Sequence, residues 1–347
     1  MNYIGSKLTL IDFLVETIWE TLSQNGDNRR PQELQFADLF AGTGVVSVAA
    51  KEMGCNVISN DLQYYSYVLC RHLVQGGAAL TKQQGQLLCD QLFATPPEEG
   101  FIYRNYSAGG TAGSQHPRCY FSDFNAAKCD GMRTELERLR EKEEVSMEEY
   151  YFLLASLITS VDRYANTASV YGAFLKTLKK TAQKDLVLTP MPIIHGSANY
   201  QVYNADANAL LKHLSGDILY VDPPYNVRQY SSNYHLLETI ARWDFPVIGG
   251  KTGVRKVRQK SEFCSYRYAE RAMEELISQA NYRYIFLSYN NEGLLPLEKI
   301  EEIMSRYGYY SAVTQRYRRF KADSDENRCH KGRATTEYLH ILIKDSV

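Results

Sequence analysis

The sequence predicts an α/β domain built on a mostly parallel sheet and interrupted by a mainly helical insertion. Three observations carry this. A strand, a glycine turn, a helix and a second strand follow one another over residues 36–61. A short apolar strand, Ile218–Val221, stops at Asp222-Pro223-Pro224-Tyr225, because proline has no N–H and a fixed φ. Strand–helix alternation resumes after Val202, whereas residues 72–195 have a different character, with two capping boxes around a glycine- and aromatic-rich stretch.

In chain order, residues 7–20 read as a helix, with Leu8, Ile11, Leu14, Val15 and Ile18 on one face. Residues 26–33 are polar, contain Pro31 and form a loop. Phe36–Phe40 is a buried strand, Ala41–Gly44 a turn, Val45–Glu52 a helix, and Cys55–Asn60 a second strand ending at Asp61. This β-α-β order demands parallel strands. Thr81-x-x-Gln84 and Ser146-x-x-Glu149 open helices, and Phe101–Asp130 between them is irregular. Later strands are expected at Ile218–Val221, Tyr284–Ser288, Ala312–Tyr317 and Glu337–Ile343. The division follows: residues 1–71 with 196–347 form the α/β domain, and 72–195 the insertion.

The chain of 347 residues has 44% hydrophobic and 23% charged residues, the balance of a globular protein. No run of 18 apolar residues is present, so no membrane span is expected, and the N-terminus lacks a signal-peptide apolar region. Seven cysteines include no Cys-x-x-Cys pair, which fits reduced thiols in a cytoplasmic protein better than disulfides or a zinc site; no metal is expected. The net charge of −1 conceals two basic clusters: Lys251, Arg255, Lys256, Arg258 and Lys260, and Arg316, Arg318, Arg319 and Lys321. Each is either a solvated face or a polyanion-binding surface.

Asp38-x-Phe40-x-Gly42-x-Gly44 follows a strand and opens a helix, where glycines let backbone approach a ligand and the helix N-terminus offers free N–H groups. Ser47 stands where a dinucleotide fingerprint has its third glycine. Asp61, ending the next strand, is placed either to accept ribose hydroxyls or to cap a helix. S-adenosylmethionine and NAD both carry that ribose, so these two motifs leave the cofactor open.

The Asp222-Pro223-Pro224-Tyr225 turn resembles that of the amino-methyltransferases, which methylate an exocyclic NH2 group using S-adenosylmethionine. Such a nitrogen is a poor nucleophile because its lone pair is delocalised into the ring. A carboxylate from Asp222 and the carbonyl of Pro223 accept its two hydrogens, favouring a pyramidal nitrogen; Pro224 stiffens the turn and Tyr225 offers a face for a base taken out of the duplex. A cytosine-C5 enzyme would need a nucleophilic cysteine, typically after proline, and no Pro-Cys dipeptide occurs.

The order of motifs, with a long insertion before the catalytic turn, is similar to that of the alpha-group, Dam-like N6-adenine DNA methyltransferases. Their N-terminal signature, an aromatic and then Gly-x-Lys, matches Tyr3-Ile4-Gly5-Ser6-Lys7. Asn204-Ala205-Asp206 resembles the segment that contacts the cofactor adenine, although the usual aromatic after it is Ala207 here. Tyr120–Ala126, Asn166–Gly172 and Arg228-Gln229-Tyr230-x-x-Asn233-Tyr234-His235 look like segments of a subgroup of restriction-modification methylases. The resemblance implies a class I methyltransferase fold (Rossmann-like) with seven strands and a target-recognition insertion. It implies S-adenosylmethionine held by Tyr3, Lys7, Asp38, Phe40, Gly42, Gly44, Asp61, Asp206 and Asp222, and a site-specific DNA adenine methyltransferase acting beside a cognate restriction endonuclease. Double-stranded DNA is then contacted by Arg228, Asn233, Tyr234, His235, Lys251, Arg255, Lys256, Arg258, Arg318 and Arg319. The Lys251–Lys260 segment is expected to be mobile in the free protein, and Asn166–Lys176 to present polar groups to base edges. N4-cytosine methylation is the nearest alternative, but those enzymes usually carry Ser at position 222. A catalytically silent DNA-binding subunit is the other.

Overall fold

A computed structural model describes residues 5–76, 80–318 and 334–344. Its strands are β1 (Gln35–Asp38), β2 (Asn56–Asn60), β3 (Tyr200–Tyr203), β4 (Ser215–Val221), β5 (Ile248–Gly249), β6 (Val254–Arg255), β7 (Asn281–Asn290), β8 (Tyr309–Arg318) and β9 (Ala334–Ile343). By Cα packing the chain divides into two compact units.

One unit comprises Gly5–Cys70, Gly196–Gln229 and Lys260–Val347. It holds a seven-stranded sheet in the order β3-β2-β1-β4-β7-β9-β8. The β1–β2, β2–β3, β1–β4 and β4–β7 pairs are parallel, and β9 runs antiparallel between β7 and β8. This is the α/β class and strand number expected. Its central strands are buried on both faces, so they read as continuous apolar runs rather than alternating ones. Ala37, Leu39, Leu219, Val221, Ile285 and Leu287 share a core with Ala272, Met273, Leu276 and Ile277 of the helix Ala269–Gln279. Burying each large side chain there contributes about 1.5–3 kcal/mol. The first predicted helix is a 3-10 turn, Leu8–Leu10, running into the α-helix Ile11–Gln24, which buries Leu14, Ile18 and Leu22. The edge strand β3 has no clear sequence signal: it has four residues and none of them is fully buried, so Tyr-Gln-Val-Tyr carries no clean period.

Strand order reverses between β1 and β4, which makes their carboxyl ends the switch point where open α/β sheets bind ligands. Asp38 pairs in register with Tyr220 there, so the glycine turn and the Asp-Pro-Pro-Tyr turn leave the sheet side by side.

The other unit joins Arg71–His195 to Tyr230–Gln259. Tyr230–Gln259 packs with the insertion, although its sequence position assigned it to the α/β domain. Both capping boxes form: Thr81 Oγ1 accepts the Gln84 N–H at 3.2 Å and opens Lys82–Phe93, and Ser146 Oγ accepts the Glu149 N–H at 3.2 Å and opens Met147–Tyr164. The second helix is buried continuously from Tyr150 to Val161, which makes it the central element of this unit. The helix Asp123–Glu141 packs beside it and buries Arg133 completely.

Candidate active site

The Gly42 and Gly44 backbones lie in the left-handed region, with φ of 54° and 80°, which only glycine adopts without strain; Gly44 then caps the helix Val45–Met53. Asp61, at the end of β2, is tied to this turn. Its Oδ2 accepts the Gly42 N–H at 2.9 Å and its Oδ1 accepts the Gln63 N–H at 2.8 Å. Two asparagines lace the surroundings. Asn60 Nδ2 donates to the Leu39 and Ala205 carbonyls, and Asn204 Nδ2 to those of Asp61 and Leu62. Sequence reasoning missed Asn60, because an Asn ending a strand has no distinctive signal. Phe40 sits edge-on to Phe263, with ring centroids 5.3 Å apart.

Asp38 and Asp206, both expected as cofactor contacts, also bond within the chain. Asp38 is buried and its Oδ2 accepts the Ser47 hydroxyl at 2.8 Å, while Ser47 Oγ lies 2.9 Å from Ser59 Oγ. Ser47, which replaces a fingerprint glycine, therefore links β1 to β2 from inside. Burial pushes the Asp38 carboxyl up to about 7, against the lowering hydrogen bond from Ser47. Asp206 caps the short helix Ala207–Leu211 by accepting the Ala209 N–H at 3.1 Å.

At the end of β4, Lys7 Nζ lies 2.9 Å from both Oδ1 and Oδ2 of Asp222 and 3.1 Å from Glu337 Oε1. A buried ammonium requires counter-charge, and Asp222 and Glu337 supply it to Lys7. Burial raises the Asp222 carboxyl to about 6; Lys7 opposes this rise and Glu337 adds to it. Tyr225 presents its ring edge to Tyr289 at 5.7 Å, with Lys7 Nζ 5.9 Å from its centroid, and its carbonyl accepts the Leu294 N–H. Glu337 is a fully buried acidic side chain inside a strand, and nothing in the surrounding pattern marks it.

Several expected DNA contacts lie elsewhere. Tyr234 and His235 are completely buried. His235 Nε2 lies 3.0 Å from the Tyr171 carbonyl between the rings of Tyr106 and Tyr120, and burial lowers its pKa to about 4, so it stays neutral inside the core. Arg255 is 7% exposed and forms a two-pronged pair with Asp244 at 2.5 and 2.8 Å. The Lys251–Lys260 stretch is anchored at its start by a β5–β6 hairpin. Arg118 donates to the Gly250 and Lys251 carbonyls, and the hydroxyls of Tyr106 and Tyr120 donate to those of Gly253 and Thr252. Gly253, at φ 68°, lies so close to Arg118 and Tyr106 that a Cβ would come within 2.9 Å of each. Residues 251–255 of the segment expected to be mobile are therefore tied by hydrogen bonds to the helical unit's interior, and a charged sequence gives no sign of these carbonyl partners. Asn166 is likewise buried, bonding the Cys119 and Leu175 carbonyls and the Lys179 N–H, and so organises its loop from within. Arg228, Lys251, Lys256 and Arg258 are exposed, and Asn233 partly so. Tyr3 and Arg319 lie outside the described residues, as does the Arg318 side chain.

Among the described residues no His, Cys, Asp and Glu group is arranged to hold a metal ion, and no helix is long and apolar enough to cross a membrane. The donor set does fit a cofactor bearing a ribose. An oriented, partly buried carboxylate stands beside a left-handed glycine turn at the switch point of the sheet.

This strand order, with a glycine turn after β1, an acidic end to β2 and Asp-Pro-Pro-Tyr after β4, defines a class I S-adenosylmethionine-dependent methyltransferase. The sequence profile of the D12 class N6 adenine-specific DNA methyltransferases matches residues 3–307. The chain belongs to that family. It is 49% identical over 344 residues to the type II methyltransferase M.NlaIII of Neisseria lactamica, covering 99% of each chain. It is 37% identical to M.CviAII of Paramecium bursaria Chlorella virus 1, covering 99% of this chain and 98% of that one. M.FokI of Planomicrobium okeanokoites is also 37% identical, but this chain spans only 53% of its length. The protein is therefore a DNA adenine methyltransferase of the restriction-modification type, and its methyl donor is S-adenosylmethionine.

Proposed function

We propose that Asp222, paired with Lys7 and set beside the glycine turn, is the acceptor that makes adenine N6 nucleophilic, and that this placement alone carries the reading. Asp222 and the Pro223 carbonyl accept the two N6 hydrogens, which draws the nitrogen toward a pyramidal geometry with its lone pair free. As N6 gains positive charge on forming its bond to carbon, the Asp222 carboxylate stabilises that charge. Tyr225 supports the flipped base, and Pro223 with Pro224 fixes the turn. S-adenosylmethionine, when bound, supplies the electrophilic methyl of its sulfonium. Asp61 accepts the ribose hydroxyls, while Gly42, Gly44 and Phe40 line the same end of the sheet.

The unit formed by Arg71–His195 and Tyr230–Gln259 reads the DNA site, and a restriction endonuclease of the same specificity is the cognate partner in the cytoplasm. Modified-base mapping tests the whole reading. DNA from cells expressing the protein carries N6-methyladenine at one motif, and DNA from cells expressing Asp222→Ala carries none. Methylcytosine at that motif sinks the proposal.

Asp61→Ala weakens cofactor binding more than it slows turnover at saturating cofactor. Losing a charge-assisted hydrogen bond of this kind costs roughly 1.5–3 kcal/mol. Calorimetry with cofactor alone reads this, and an unchanged Kd reassigns Asp61 to holding the glycine turn.

Lys251, Lys256, Arg258 and Lys260 are the exposed cations of their cluster, so phosphate binding is assigned to them and not to Arg255. Replacing all four by Ala lowers the slope of log K against log salt by about 0.9 for each phosphate that is no longer neutralised, on specific and non-specific DNA alike. An unaltered slope means that the cluster is a solvated face.

A further inference from the structure

We infer that Glu337 is a positioning residue for methyl transfer, holding Lys7 where the ammonium orients the Asp222 carboxylate. The inference rests on the assignment of Asp222 as the acceptor of the amino hydrogens. Glu337 lies on β9, three strands away in sheet order from β1 and the glycine turn that follows it. It is completely buried, its Oε1 accepts the Ser288 hydroxyl at 2.6 Å, and the same oxygen lies 3.1 Å from Lys7 Nζ. Ser288 stands on the neighbouring strand β7, where Asn290 is the register partner of Glu337. The contact therefore runs diagonally across the strand pair and fixes one carboxylate oxygen.

Lys7 Nζ meets Glu337 Oε1 at 3.1 Å, both oxygens of Asp222 at 2.9 Å and the Gly5 carbonyl at 3.5 Å. Through the ammonium, whose place it fixes, Glu337 sets the rotation of the Asp222 carboxylate. Its charge also keeps Asp222 a stronger hydrogen-bond acceptor than a carboxylate paired with Lys7 alone. Among the described residues, the titratable groups that face Asp222 are Lys7 from the N-terminal segment, Tyr220 from β4, Tyr225 from the turn, Glu337 from β9 and, at the end of β1, Asp38.

The test is the pH profile of kcat/KM for DNA at saturating cofactor, with single-turnover rates, for Glu337→Gln and Glu337→Asp. In Glu337→Gln the single-turnover rate falls about tenfold, the loss of one oriented hydrogen-bond acceptor in part. Its acid limb moves to lower pH, because the anion that raises Asp222 is gone, and cofactor KM is unchanged. Glu337→Asp keeps the charge and recovers most of that rate with the wild-type acid limb. Ser288→Ala leaves every charge in place, so it remains informative where Glu337→Gln folds poorly; it lowers the rate with cofactor KM unchanged. A wild-type rate and acid limb in Glu337→Gln, or a rate loss accompanied only by a higher cofactor KM, overturns the inference. Asp222→Ala measured in parallel separates the two levels. If it retains turnover, the assignment of Asp222 fails; if it is inactive while Glu337→Gln is normal, only the role of Glu337 fails.

Discussion

Asp222→Ala lowers the rate of methyl transfer by about 10²–10³, the usual cost of deleting one preorganised group that stabilises charge in a transition state. Cofactor affinity and non-specific DNA binding change little by comparison. The substitution also leaves Lys7 with Glu337 as its remaining close carboxylate, so the site keeps a neutral ion pair and does not strand a buried cation. Single-turnover kinetics with preformed ternary complex measure the chemical step directly, and near-wild-type turnover in the purified variant refutes the mechanism. The same carboxylate sets an acid limit in the wild-type enzyme. Burial raises it to about 6, so it is charged above that pH and neutral below it, and activity falls as pH drops through this value. An Asp222-dependent limb of this kind is absent from any residual activity of the Ala variant.

The second large effect falls on stability in the other unit. Arg133→Ala destabilises it by roughly 1–3 kcal/mol for each of the two buried carbonyls that lose their donor. Arg133 is 1% exposed, donates to the Ile240 and Ala241 carbonyls at 2.7 and 3.0 Å, and pairs with Glu137. Those carbonyls belong to the end of the helix His235–Arg242, where a helix leaves its last carbonyls without intrahelical donors. The guanidinium also lies 5.4 Å from the Trp243 ring, at a residue held at φ 53°. Removing it leaves two carbonyls and a ring without their partner, while Glu137 keeps Arg140 and the Tyr150 hydroxyl. Thermal unfolding of the purified variant checks this. A shift in Tm too small to resolve for Arg133→Ala refutes the capping role.

The elements visible from sequence are those with local causes. The glycine turn, the proline stop after β4 and both capping boxes depend on residues within a few positions, and each forms at its predicted place. The site is legible as far as those local signals reach: Asp222, Tyr225 and Asp61 stand at strand ends. What sequence does not reveal depends on partners far away in the chain. Glu337 reads as one more residue of a strand, and only the pairing of β9 with β7 brings it to Lys7. His235, Arg255 and Asn166 read as exposed polar groups because their polar partners, Tyr171, Asp244 and Cys119 among them, carry no sequence mark. A charged or polar side chain with a satisfied interior place is indistinguishable, in one sequence, from one reaching for a ligand.

The ion cluster around Asp222 also has a history during synthesis. Lys7 and Asp222 are 215 positions apart, and Glu337 arrives later still, on the strand inserted between β7 and β8. A ribosome that has made the whole glycine turn and the Asp-Pro-Pro-Tyr turn has therefore not yet made Glu337. Contacts of such long sequence separation form slowly, since loop closure costs entropy before the pairing is made. Until β9 docks, Lys7 and Asp222 stand without the third member of their cluster.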